Sequence, residues 1–256
     1  MILTSWAVAN SERFLSPLGS RWSHVRQVGE QACRIAHVVP PTDRDLLVAA
    51  AYLHDVGYAP ELTKTGFHPL DGARWIRDHG PGGRLARLVA HHSCAIYEAH
   101  VRGLGEILLS EFEPENSATY DALVFCDLTI GPRGESLSFD ERISDIYGRY
   151  GPDHEVSRAL DLSRSVLESC HARTVARLSG IGLAYVWLCA LFEIMLDAQP
   201  DRGMHPEVRN SVRLHELHFG GLAAGCRSSS GHARGEADRE FLPDFAVIVC
   251  RDVIRV

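Results

Sequence analysis

The segment that most constrains this chain is Leu46–Asp55, LLVAAAYLHD, in which an uncharged apolar run meets a histidine and an aspartate. The run is apolar enough to pass through a core as a helix, with Asp43 expected to cap its start and Gly57 to stop it. Side chains adjacent on a helix point about 100° apart, so His54 and Asp55 can face one ion only at the helix edge, where the chain unwinds. A neutral imidazole beside an anionic oxygen suits manganese, iron, cobalt, nickel or zinc.

Two further polar residues interrupt helices that otherwise carry apolar faces. His24 lies in a segment with Val25, Val28, Ala32, Ile35 and Ala36 at helical spacing, and Asp127 lies in one with Ala118, Leu123, Val124 and Leu128. A buried polar group is costly unless something pairs with it. One metal ion shared between helices pairs all four residues at once, as helical bundles commonly do. Of the histidines between Asp55 and Asp127, three at expected helix edges are further candidate ligands. His68 opens HPLDGARWIRDH, and His91 with His92 closes the next helix. These supply ligands for a second ion, with Asp55 bridging the pair. Two ions a few ångströms apart activate water and clamp a phosphoryl oxygen together.

The rest of the chain reads as further helices near Phe139 to Tyr150 and His154 to Leu178, followed by the apolar stretch Ile181 to Leu196. That stretch is shorter than the roughly 20 residues of a bilayer span, and Glu193 interrupts it, so a helix that packs or dimerises is expected. Residues 199–256 lack a clear period and contain GCRSSSGHARGEADRE, which reads as a partly disordered polar tail with a terminal strand in FLPDFAVIVCRDVIRV. The expected division is a helical core over 1–178, an apolar helix over 179–198 and the tail over 199–256.

A net charge of −7 gives no basic face for an extended nucleic acid. A small phosphorylated ligand is compatible with it, since a cation and a few arginines can hold one. The seven cysteines form no C-x-x-C pair and read as buried free thiols in a reducing cytoplasm. The first residues carry no basic leader, which agrees with a cytoplasmic location.

The order of RWSHVRQVGEQA, AAYLHDVGYA, GFHPLDGARWI, LVAHHS and ALVFCDLTIGP resembles the HD-domain superfamily of metal-dependent phosphohydrolases over about Arg21 to Arg149. The resemblance implies an all-α HD-domain bundle, here with a C-terminal helix and an irregular tail. It implies that His24, His54, Asp55 and Asp127 bind the first of one or two divalent ions, with iron or manganese favoured and magnesium, cobalt, nickel or zinc as alternatives. The extra histidines, His68, His91 and His92, are similar to those of two-metal branches such as the symmetrical dinucleoside-tetraphosphate hydrolases. Their H…GA segment is matched by His68 and Gly72-Ala73, and they favour His92 over His91 as ligand. The HD-GYP cyclic dinucleotide phosphodiesterases share the His-His step, but carry lysine where Tyr58 stands and a GYP element that is missing here.

The implied reaction is attack on phosphorus by a metal-activated water, with His54 and Asp55 at the catalytic centre and a nucleotide or other small phosphorylated compound as substrate. By proximity in sequence, Arg21, Lys64 and Arg133 are the candidates to meet its phosphates, although surface arginine explains Arg133 better. Two rival functions use the same ligands: a diiron oxygenase, and a regulatory module that keeps the metal without catalysis. Self-association through the apolar C-terminal helix is the partner contact expected beside the substrate.

Overall fold

The computed structural model describes the backbone of residues 3–197 and the side chains of residues 3–181. Among the described residues the protein is all-α. The tail, its expected terminal strand and the side chains through which the apolar helix was expected to associate lie outside the described residues.

The chain forms α1 (Leu3–Leu15), α2 (Ser20–Ile35), α3 (Arg44–Leu53), α4 (His68–His79) and α5 (Gly83–His91). Then follow α6 (Ala95–Val101), α7 (Gly105–Glu111), α8 (Ala118–Leu128), α9 (Phe139–Tyr150) and α10 (Glu155–Asp197). The two segments expected near His154 to Leu178 and Ile181 to Leu196 join as the single helix α10. Sequence reading passed over α1, α6 and α7. The last two are one or two turns each, too short to show a period.

α3 is the central element. Leu47, Ala49, Ala50, Ala51 and Leu53 are fully buried, with α1, α2, α5 and α8 packed around them. Its run of three alanines lets neighbouring backbones come close. A stack of Trp6 on Trp75 (ring centroids 5.6 Å apart) and an edge contact from Phe14 to Trp75 (4.9 Å) tie α1 to α4. A second apolar cluster, with Val124, Leu128, Ile143, Ile146, Leu160 and Leu167, joins α8, α9 and α10. The polar groups described below lie where these two cores adjoin.

Asp43 does not cap α3. Its backbone is in the helical region (φ −104°, ψ −4°) and no side-chain capping bond forms, because the cap needs an extended conformation. The carboxylate instead accepts two bonds from Arg84 (2.9 and 2.8 Å) and one from Thr119 (2.8 Å). It thereby fastens the starts of α3, α5 and α8 to one another. The thiols of Cys94, Cys126 and Cys170 are buried and free as expected, whereas Cys33 is exposed, since it faces away from the apolar stripe of α2.

Candidate metal centre

Five helices deliver the polar groups to one place. α2 brings His24; α3 runs out at Leu53, so that His54 and Asp55 fall on the turn that unwinds from it. α4 begins at His68, α5 ends at His91 with His92 next, and α8 carries Asp127 near its end. His24, His54, Asp55, His92 and Asp127 are all buried.

The ligand atoms fall into two groups. His24, His54 and Asp127 form one, and Asp55, His68 and His92 the other, each with its atoms within 4.8 Å of one another. Asp55 joins them. Its Oδ2 lies 3.4 Å from His54 Nε2 and 3.9 Å from His24 Nε2, while its Oδ1 lies 3.2 Å from His68 Nε2 and 3.8 Å from His92 Nε2.

The tautomers show what the groups are built for. His24 Nδ1 is 3.1 Å from the Gly131 carbonyl, His54 Nδ1 is 2.8 Å from that of Ala51, and His92 Nδ1 is 2.7 Å from that of Val89. A carbonyl only accepts, so each ring donates from Nδ1 and leaves Nε2 as a bare lone pair. Yet His24 Nε2 faces His54 Nε2 at 3.3 Å and Asp127 Oδ1 at 3.1 Å, and His68 Nε2 faces His92 Nε2 at 3.3 Å. Around His24, His54 and Asp127 the lone pairs of neutral rings would repel at these distances unless a positive charge, a proton or a metal ion, lay among them. Main-chain carbonyls fixing the far nitrogen are the usual support for metal-ligating histidines. The residues therefore fit divalent cations.

Charge within the site agrees. Burial opposes the protonated form of His54, but Asp55 and then Asp127 outweigh it and raise its pKa to about 9. This corner attracts a positive charge. Burial, followed by repulsion from His54 and His68, pushes His92 down to about 3, which keeps it a neutral ligand.

The support around these groups is polar and strained. Ser93 Oγ donates to Asp127 Oδ2 at 2.5 Å. Ser93 and Cys94 both have left-handed backbone (φ 47° and 59°), a conformation costly for residues other than glycine and worth noticing beside a ligand. Tyr120 holds that turn: its hydroxyl donates to the His91 carbonyl (3.1 Å) and accepts from the Cys94 amide (3.2 Å). Asp71 accepts from the amides of Lys64, Thr65 and Gly66 at 3.0 to 3.2 Å, folding the loop that leads into His68.

The structure brings together six of the seven expected ligands. His91 points elsewhere, donating from Nε2 to the Phe112 carbonyl at 2.8 Å. Of the expected phosphate contacts, Arg21 is at the site, with Nη1 2.5 Å from Asp55 Oδ2 and its guanidinium 4.1 Å from the Tyr58 ring centre. Lys64 and Arg133 are exposed and do not line the cleft. Arg133 pairs with Glu135 at 3.3 Å. Sequence reading missed Arg142 and Arg149 on α9, which do line it. A signal for Arg142 was present: it shares the helical stripe of Phe139 and Ile146, a position that is otherwise apolar.

The cleft that opens onto both groups has a volume of about 130 Å³. Residues 21–124 match the HD domain. This segment is an HD domain. No curated protein and no solved structure matches the chain significantly. HD domains mark a superfamily of metal-dependent phosphohydrolases, and the buried histidine and aspartate groups such an enzyme needs are intact here. The matched segment carries most of the groups that an enzyme of that type needs. Asp127 and the α9–α10 wall of the cleft lie beyond the matched segment, so the HD domain accounts for most of the candidate ligands and for roughly half of the residues lining the cleft.

Proposed function

We propose that this HD enzyme hydrolyses a small phosphorylated substrate, a nucleotide or a simpler ester, at a centre that holds two divalent cations. The carrying observation is the bridging carboxylate: Asp55 directs one oxygen to each ligand group. Two bound divalent cations would lower the pKa of coordinated water and draw charge from a phosphoryl oxygen. His24, His54 and Asp127 would hold the first, His68 and His92 the second, and Asp55 would serve both.

The protein's own residues do the rest. Arg21 holds Asp55 and stacks on Tyr58, so the bridge stays fixed while substrate enters. Ser93 holds the second oxygen of Asp127. Burial of the centre strengthens every charge interaction with the phosphoryl group. Iron or manganese suits the mixed nitrogen and oxygen donors, as do cobalt, nickel and zinc. The test is phosphate release from nucleotides and simple esters by the manganese-loaded protein and by Asp55→Asn. Loss of release by at least a hundredfold in the variant is expected. Oxygen consumption by the iron-loaded protein without phosphate release would instead support the oxygenase reading.

A further inference from the structure

One charged side chain beside the metal centre lacks a full set of partners. Arg142 is 6% exposed and lines the cleft. Its Nη1 donates to Asp145 Oδ2 at 2.8 Å. Its Nη2 stops 3.9 Å from Asp127 Oδ1, beyond hydrogen-bond range, and its buried Nε has no hydrogen-bond partner. Nε and Nη2 form the edge of a guanidinium that meets two oxygens of a phosphate or carboxylate at once. A buried donor left unpaired is destabilising, and such an edge next to a metal ligand fits an oxyanion delivered by the substrate.

The other arginines of the cleft are engaged. Arg149 gives Nε and Nη2 to Asp145 (3.1 and 3.0 Å), and Arg21 gives Nη1 to Asp55 (2.5 Å). The α9–α10 wall is otherwise largely apolar, with Ile146 on α9 and Val156, Ala159, Leu160 and Leu167 on α10 beside Arg149, Tyr150 and Ser163. A polyphosphate chain running along that wall would meet methyl groups and one arginine, Arg149, that Asp145 already holds. The cleft volume of about 130 Å³ is on the scale of a cavity of about 150 Å³ that takes one benzene ring.

We infer that the substrate is a phosphate monoester with a compact apolar or aromatic organic group. Arg142 takes the phosphoryl oxygens through its Nε–Nη2 edge, and the α9–α10 wall takes the organic group. This rests on the hydrolase reading above. Water adds its oxygen to phosphorus, the bond from phosphorus to the ester oxygen breaks, and one proton of the water ends on the leaving alcohol and the other on the phosphate. Arg142 is a residue that touches substrate, and Leu160 sets specificity by contact.

The test separates recognition from turnover. The full-length manganese-loaded protein is titrated calorimetrically with phenylphosphonate and methylphosphonate, which are not hydrolysed. Phenylphosphonate is expected to bind more tightly by on the order of tenfold, from burial of the ring. Arg142→Lys, which keeps charge and loses the two-pronged edge, weakens both by about tenfold and leaves the metal content unchanged. Ala159→Leu, which fills the wall, brings the two affinities together and serves where Arg142→Lys does not fold. Equal affinities in the wild type overturn the inference. So does an Arg142→Lys protein that sheds metal but binds phosphonate normally, which would make Arg142 a positioning residue for Asp127.

Turnover is read as phosphate release. A higher kcat/KM for phenyl phosphate than for a nucleoside triphosphate or a dinucleoside tetraphosphate supports the inference, and the reverse order overturns it while leaving the hydrolase reading intact. Selective phosphonate binding with no hydrolysis of any ester sinks the hydrolase reading and upholds the recognition.

Discussion

Replacing Gly57 by alanine probes how the second ligand group is held. Gly57 sits just past the His54-Asp55 turn, and its backbone packs against the start of α4. A Cβ there would lie 2.0 Å from the His68 carbonyl oxygen and 2.6 Å from the Gly72 amide. Both are backbone atoms, so no rotamer change relieves the clash and the first turn of α4 must retreat by well over an ångström. Overpacking costs about 1–3 kcal/mol, and an unyielding backbone contact puts Gly57→Ala near the top of that range. For a domain of this size, about 3 kcal/mol lowers Tm by roughly 6–12 °C.

The retreat carries His68 away from Asp55, now 3.2 Å distant, and metal sites tolerate ligand displacements of only about 0.2 Å. The second metal equivalent is therefore lost before the first, whose ligands lie on α2, α3 and α8. Gly72→Ala is milder, because its nearest contacts are 3.0 Å to the Gly57 amide and 3.1 Å to a Val56 methyl. About 1 kcal/mol is expected for it. Thermal unfolding and metal analysis of both variants decide the matter. A Gly57→Ala protein with unchanged Tm and both equivalents bound would refute the reasoning.

Two other perturbations follow from the site and its supports. Tyr120→Phe frees the left-handed Ser93-Cys94 turn and should weaken manganese binding at the second group by about tenfold in a calorimetric titration, with a stability loss of about 1–2 kcal/mol. Unaltered affinity would show that the turn holds itself. Asp121 is buried, which alone would raise its pKa, but bonds from Arg173 (2.9 Å) and Arg177 (2.9 Å) keep it below the usual carboxylate value. A depressed carboxylate contributes stability above its unfolded pKa and loses it as pH falls through the folded one. Asp121→Asn should thus cost about 1–3 kcal/mol at pH 7 and progressively less below pH ~4, measured by urea unfolding across pH. A cost independent of pH would contradict the ion-pair account.

Much of the candidate ligand set was legible because burying a histidine or aspartate on an apolar helix demands a reason, and His24, His54, His68, His92 and Asp127 each stood out against such a helix or its edge. His91 was legible only as half of a pair. Which of two adjacent histidines turns inward depends on where α5 ends, and the Phe112 carbonyl that takes the other comes from the far end of α7. Lys64 and Arg133 were chosen for nearness in sequence, but the Asp71-bound loop uses the amide of Lys64 and leaves its side chain exposed. The stripe of Phe139 and Ile146 marks Arg142 as buried, but which site it reaches is set by the packing of α9, a tertiary fact that local spacing does not contain. Asp43 was misread because a start-of-helix aspartate looks the same whether it caps its own helix or ties three together.

The central claim is a two-cation centre bridged by Asp55, and metal stoichiometry tests it most directly. The wild-type protein, saturated with manganese and desalted, should carry two equivalents; His68→Ala should carry one and Asp55→Ala fewer than one. Wild-type protein that binds a single equivalent, unaffected by His68→Ala, would contradict the account.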